Sequence, residues 1–156
     1  MDRDGKMIFY PSVLAKCESL SEYNQKLAMK PSREQADRGN ELHLIALDEV
    51  MKRGYEVEAE VPISLKVSEW AELRGRIDLV SPWAYYEVKS YREGTWTYQF
   101  KVARRQLSLY WKMRPINNIF IVMISADRKV DIVRASIDEE WLLNIWNQLL
   151  RYREWF

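Results

Sequence analysis

The sequence predicts an α/β fold in which a mixed β-sheet is flanked by helices. Three observations lead to it. Leu73 to Val80 and Trp83 to Ser90 are short strand-like runs separated by the turn signal Ser81-Pro82. Amphipathic helical patterns lie on either side of that pair, and Ile119 to Ile124 is an unbroken apolar run that suits a strand buried on both faces.

Taken in order, the pattern first predicts a helix from about Pro11 to Met29. Ser32-Arg33-Glu34-Gln35 reads as a capping box with Ser32 as N-cap, and Gly54 is placed to stop the helix about six turns later, so Arg33 to Arg53 forms one long helix. Leu42, Ile45, Ala46, Leu47 and Val50 give it an apolar stripe, and His43, the sole histidine, lies at the edge of that stripe. Gly39 sits one turn before His43. A helix-interior glycine costs about 1 kcal/mol relative to alanine, so a strand or a ligand is expected to approach there.

Tyr55 to Val67 is expected to be a strand in which Val57, Ala59, Val61 and Ile63 alternate with Glu58, Glu60 and Pro62. The two motif strands follow. Thr97 to Arg114 reads as a second amphipathic helix, Asn118 to Ala126 as the buried strand, and Lys129 to Ala135 as an edge strand. Ser136 is placed to cap a final helix running to the C-terminus. The expected organisation is one domain over 1–156, with an N-terminal helical segment at 1–30, a motif-bearing core at 31–135 and a C-terminal helix at 136–156.

With 156 residues the chain can bury a substantial core without disulfides, and its single cysteine, Cys17, excludes an intramolecular disulfide and fits a reducing, intracellular setting. There is no apolar run of about 20 residues, and Met1-Asp2-Arg3-Asp4 opens with mixed charges; a cytoplasmic protein with no membrane partner is expected. Among the aromatic residues, Trp141, Leu142, Ile145, Trp146 and Leu149 form a helical packing stripe. Trp96, Tyr98 and Phe100 are the candidates for base stacking, and Trp155 and Phe156 are candidates for a subunit interface.

The chemistry is concentrated in Gly75-Arg76-Ile77-Asp78, eight residues, and Glu87-Val88-Lys89. Strand alternation puts Arg76, Asp78 and Val80 on one face and Ile77 and Leu79 on the other, while Glu87 and Lys89 project together, away from Tyr86 and Val88. If the charged faces coincide, Asp78 and Glu87 converge. Two adjacent carboxylates repel. A divalent cation between them removes that cost, polarises a phosphoryl oxygen and acidifies a bound water. Lys89 beside it would stabilise the added negative charge of a pentacovalent transition state. The same residues could equally be solvated groups on an open sheet face, and His43 a half-buried histidine bonded to a carbonyl. From Lys89 to Arg114 the chain carries seven basic residues against the single acid Glu93, within a protein whose net charge is only +1. Such a segment suits docking of a phosphate backbone, or is an ordinary solvated helix face.

The ordered series Arg38-Gly39-Asn40-Glu41-Leu42-His43, Gly75-Arg76-Ile77-Asp78, Glu87-Val88-Lys89 and Gln106-Leu107-Ser108-Leu109-Tyr110 resembles the RecB-like branch of the PD-(D/E)xK nuclease superfamily. The likeness is greatest to CRISPR-associated RecB-like exonucleases and small nucleases of archaea and their viruses. It implies a restriction-endonuclease-like core in the order helix, three strands, helix, strand. It also implies a metal-dependent deoxyribonuclease, either an exonuclease on linear or single-stranded DNA or a structure-selective endonuclease such as a junction resolvase. By the resemblance His43, Asp78, Glu87 and the Val88 carbonyl would be metal ligands, with Asp78, Glu87 and Lys89 as the catalytic set. Gln106 and Tyr110 would contact nucleic acid or support the site, with Arg92, Lys101, Arg104 and Arg105 as basic contacts to DNA. Carboxylates and a carbonyl suit Mg2+ or Mn2+, and one imidazole favours Mn2+. Many of these relatives hold an iron-sulfur cluster on four cysteines; with only Cys17 in this chain no cluster is expected, and Cys17 is most simply a small buried residue. A catalytically silent nuclease-fold binding module and a nuclease subunit active only within a larger complex are the alternatives, and a homo-oligomer or a nuclease-complex partner is a further expectation.

Overall fold

The computed structural model describes residues 5–29 and 33–153, with 33–38 described by their backbone alone. The proposed capping box at Ser32 and Gln35, and Trp155 and Phe156, lie outside what is described. The elements in chain order are β1 (Met7–Phe9), α1 (Pro11–Leu14), a single 3-10 turn (Leu20–Glu22), α2 (Tyr23–Leu27), α3 (Arg33–Lys52), β2 (Glu58–Lys66), β3 (Ala71–Ser81), β4 (Ala84–Ser90), α4 (Trp96–Met113), β5 (Asn118–Ile124), β6 (Val130–Ala135) and α5 (Glu139–Arg151).

The six strands form one mixed sheet. β2 pairs antiparallel along β3 from Glu72 to Val80 and so occupies one whole edge of it. The opposite edge of β3 is shared: β1 runs parallel to Ala71–Leu73, and β4 runs antiparallel to Leu79–Ser81. Between these two contacts β3 has an unpaired stretch, and the candidate site is built at its end. β5 lies parallel to β4, and β6 closes the order as an antiparallel edge strand. Parallel β4 and β5 need a crossover, which α4 supplies.

The helices cover both faces. Leu42, Ala46 and Val50 of α3 bury against Leu79, Tyr86, Val88, Val122 and Ile124. On the opposite face Ala103, Leu107 and Tyr110 of α4 bury against Ile63, Ile77, Tyr85, Ile121 and Met123. A third cluster joins Phe9, Leu14, Cys17 and Tyr23 to Leu73, Leu109 and the Trp141, Leu142, Ile145, Leu149 stripe of α5. Cys17 is fully buried within it, and burial pushes its thiol up to about 11.

Several expectations are corrected. The long helix from Pro11 to Met29 is broken into short pieces, because Ser19 and Glu22 form a capping box that starts a new turn: the Glu22 carboxylate accepts from the Glu18 and Ser19 amides at 2.9 Å each. The 1–30 segment also contains β1, a strand too short to carry a periodic signal. α5 is capped by Asp138, whose Oδ1 accepts from the Trp141 amide, and Ser136 is held two residues earlier by the Arg104 guanidinium. Ile77 and Leu79 do not share a face: Ile77 packs beneath α4 and Leu79 beneath α3. The strand therefore turns over between them, at Asp78. Finally, a Cβ on Gly39 would meet nothing within 4 Å among the described residues, so of the strand or ligand expected there no described strand makes a close approach.

Candidate functional site

The site begins with the unpaired edge of β3. Where β4 splays from it, the Asp78 side chain fills the gap and its Oδ2 accepts from the Val88 amide at 2.8 Å. On the same edge the Tyr110 hydroxyl donates to the Arg76 carbonyl at 2.8 Å, and Gln106 Nε2 donates to the Tyr110 oxygen at 3.1 Å. Buried backbone groups that lose a ladder partner must find another, and here side chains supply it. Gly75 allows this approach. A Cβ there would stand 3.1 Å from the Tyr110 ring and 3.2 Å from Pro11, tighter than ordinary contact.

Asp78 and Glu87 are 8% and 3% exposed, which for acids demands compensation. Burial pushes the Glu87 carboxyl well above the usual range, and the adjacent Asp78 carboxylate raises it further while Lys89 opposes. Burial likewise raises Asp78, against the lowering influence of His43 and of the Val88 amide. Lys89 Nζ lies 3.4 Å from Glu87 Oε2, and among the described residues Glu87 Oε1 is buried with no hydrogen-bond donor facing it. His43 reaches in from α3. Its Nε2 is 3.7 Å from Asp78 Oδ2, and its Nδ1 is 2.8 Å from Glu60 Oε1. Ligand atoms of His43, Glu60 and Asp78 all lie within 4.8 Å of one another.

A divalent cation fits this donor set. Among the described residues no donor faces the buried Glu87 Oε1, the Asp78 carboxylate adjoins Glu87, and an imidazole nitrogen faces Asp78. Oxygen ligands with one imidazole match Mg2+ or Mn2+. Burying a carboxylate pair with no cation between its members is costly.

Of the sequence-derived candidates, His43, Asp78, Glu87 and Lys89 meet at this place, and Val88 contributes its amide to Asp78. Gln106 and Tyr110 adjoin it but are 5% and 1% exposed, so they brace the β3 edge from beneath. Arg104 and Arg105 each make hydrogen bonds within the protein. Arg104 donates to the Ser136 and Ile137 carbonyls at 2.7 and 3.1 Å. Arg105 is buried, makes a two-pronged contact to Glu18 at 3.0 Å per bond and lies over the Trp141 ring. Their sequence signal was charge, and charge alone does not separate a solvated arginine from one that ties elements together. Arg105→Ala is therefore expected to lower stability by about 1–3 kcal/mol, limited by the exposure of Glu18, with DNA affinity unchanged. Urea denaturation and a fluorescence-anisotropy titration check this.

Arg92 and Lys101 are exposed, Lys101 lying over Tyr98 and 3.8 Å from Glu18. Trp96 and Phe100 stack on each other with centroids 4.8 Å apart, and Trp96 and Tyr98 remain exposed. Two clefts lie nearby, and Asp78 lines the smaller of them. One, of about 480 Å3, is lined by Tyr10, Ser12, Glu60, Arg76, Asp78 and Gln106. The other, of about 720 Å3, is lined by Gly39, Leu42, Ser90, Arg92, Thr95 and Arg128, among others. Gly39 thus faces open space beside two arginines.

Sequence reasoning missed Glu60 and Lys16. Glu60 looked like one of the outward residues of an alternating strand. Its signal was the hairpin register, which sets it opposite Asp78 once the β2–β3 turn is known. Lys16 is pushed below the usual lysine range by burial and then by the nearby Lys89 ammonium. Two ammonium groups placed close together favour an anion between or beside them.

Among the described residues no helix is long and apolar enough to cross a membrane. No protein-family model matches the chain, and no curated protein does. Solved structures do resemble it. The crystal structure of SSO0001 superposes with a TM-score of 0.61 at 21% identity, covering 100% of this chain and 81% of that one. An alkaline exonuclease, LHK-Exo from Laribacter hongkongensis, gives 0.63 at 15% identity over 94% of this chain and 85% of its own. The same exonuclease in complex with dAMP gives 0.63 at 17% identity over 95% and 86%. At these identities the likeness is one of architecture: the chain has a mixed sheet flanked by helices in the restriction-endonuclease-like arrangement.

Proposed function

We propose that this protein is a metal-dependent deoxyribonuclease that hydrolyses phosphodiester bonds, acting as an exonuclease. The observation that carries the reading is the buried pair Asp78 and Glu87, with an orphaned oxygen on Glu87, an ammonium 3.4 Å from its other oxygen and an imidazole 3.7 Å from Asp78. The motif series of the RecB-like nucleases and a fold shared with an alkaline exonuclease support it.

In this reading His43, Asp78 and Glu87, with the Val88 carbonyl, would hold Mg2+ or Mn2+, which would supply Lewis acidity toward a phosphoryl oxygen and a water of lowered pKa. The chain's own residues do the rest. Lys89 sets a positive charge beside the reacting phosphate and stabilises the charge that builds on it. Tyr110 and Gln106 brace the β3 edge so that Asp78 and Glu87 stay adjacent. Lys16, Arg92 and Lys101 neutralise backbone phosphates, and Trp96 and Tyr98 offer stacking surface beside the larger cleft. Exonuclease action is preferred to junction cleavage because the superposed protein of known activity is an exonuclease.

The test compares wild type with Glu87→Ala and Lys89→Ala on linear and circular DNA with Mn2+. Digestion of linear DNA only, lost in both variants and in chelator, is expected; equal activity in all three proteins would assign the cleavage to a contaminant. For binding, Arg92→Ala and Lys16→Ala are each expected to weaken affinity for DNA of any sequence and to reduce the slope of log K against log salt by about 1. Anisotropy titrations at several salt concentrations check this.

A further inference from the structure

Glu60 has no part in the motif series, yet its backbone is the most unusual in the sheet. Its φ is +55°, in the left-handed region that costs a non-glycine residue about 1–3 kcal/mol and persists only where the surroundings hold it. The β2–β3 ladder pairs Ala59 with Leu79 and Val61 with Ile77, and omits the pair between them, Glu60 with Asp78. Two carboxylates at directly opposed positions of neighbouring strands repel. Among the described residues His43 is placed against both: Nδ1 is 2.8 Å from Glu60 and Nε2 is 3.7 Å from Asp78.

We infer that Glu60 is a positioning residue that fixes the orientation and tautomer of His43, so that Nε2 faces Asp78 and the metal. The inference rests on the metal-dependent reading above. An ionised carboxylate only accepts hydrogen bonds, so the Glu60 contact places a hydrogen on Nδ1, and in the neutral ring the lone pair is then on Nε2. The His43 side chain is 31% exposed, so packing alone does not lock its ring. The Glu60 side chain is 47% exposed, so its contact with His43 is not enforced by burial. A carboxylate on the far nitrogen of a ligating histidine orients the ring and makes it more basic, and losing such a partner weakens metal binding about 10–100-fold. Glu60 Oε1 lies 2.8 Å from the ring nitrogen that points away from Asp78, and because a Glu60 ligand atom also lies within 4.8 Å of those of His43 and Asp78, the variants below must separate action through the ring from direct ligation.

The experiment is isothermal titration of Mn2+ into wild type, Glu60→Ala, Glu60→Gln, His43→Ala and the His43→Ala/Glu60→Ala double variant, with Asp78→Ala and Glu87→Ala alongside. Glu60→Ala should raise Kd about 10–100-fold. Glu60→Gln, whose amide oxygen still accepts from Nδ1–H, should stay within about threefold of wild type, a small fraction of the full effect. In the His43→Ala background Glu60→Ala should have no further effect. Equal losses in the alanine and glutamine variants, persisting without His43, would make Glu60 a direct ligand and overturn the inference. An unchanged Kd in Glu60→Ala would overturn it too. If Asp78→Ala and Glu87→Ala abolish Mn2+ binding while the Glu60 variants do not alter it, the nuclease reading stands and only this inference falls. Failure of wild type to bind Mn2+ would overturn both.

Discussion

Glu87→Gln is expected to lower DNA cleavage by at least about a thousandfold and, in the same protein without metal, to raise the stability of the fold. The activity loss follows from removing a charged group proposed to hold the metal: several kcal/mol of transition-state stabilisation corresponds to three or more powers of ten in rate. The stability gain follows from the burial of Glu87 beside Asp78, with one oxygen unpartnered. An amide of the same shape removes the repulsion and can donate to Asp78. A gain of about 1–3 kcal/mol in denaturant unfolding is expected. The pH dependence has a definite sign. Glu87 in the folded protein is raised above its usual 4.5, so between that value and its folded value the native state binds more protons than the unfolded chain. Stability therefore falls as pH rises through that window, and Asp78, also raised, acts in the same direction. Without metal the wild type should melt at a higher temperature near pH 5 than near pH 8. Mn2+ or Glu87→Gln should flatten the trend. A profile rising across this window would mean that the pair is not buried as described.

Lys89→Met has the second largest expected effect and a different signature. The ammonium lies 3.4 Å from Glu87 but offers no lone pair to a cation, so Mn2+ binding should survive its removal. What is lost is positive charge where negative charge develops at phosphorus, worth about 10²–10³ in kcat for a group of this kind. Single-turnover cleavage beside a Mn2+ titration separates the two effects: a fall in rate with Kd nearly unchanged is expected. A large loss of Mn2+ affinity would make Lys89 a structural counter-ion of Glu87 instead. Arginine at this position should not restore the rate, since its planar fork does not replace a compact point charge.

Strong periodicity made much of the fold legible. α3 and α4 lie within a residue or two of their expected bounds because apolar stripes mark both and Gly54 follows the end of α3, and β3, β4 and β5 because their turn signals are sharp. β1 was not legible, since three residues carry no period. The break at Ser19 was legible as the S-x-x-E signature of a capping box, but the surrounding apolar spacing outweighed it. At the site, alternation brought Glu87 and Lys89 to one side correctly. It failed at Asp78, where splaying of β4 from β3 turns the chain over and separates Ile77 from Leu79. Glu60 could not be found by alternation at all, because its left-handed backbone departs from strand geometry. Arg104 and Arg105 show the limit of counting charge: one caps carbonyls, the other is buried against Glu18 and Trp141.

The most direct test of the account is anomalous diffraction from a crystal soaked in Mn2+, recorded at the manganese edge. The account predicts a peak bonded to His43 Nε2 and to the carboxylates of Asp78 and Glu87, lost in Glu87→Gln crystals. A fully soaked crystal with no peak between these side chains, or with manganese bound only elsewhere, would contradict it.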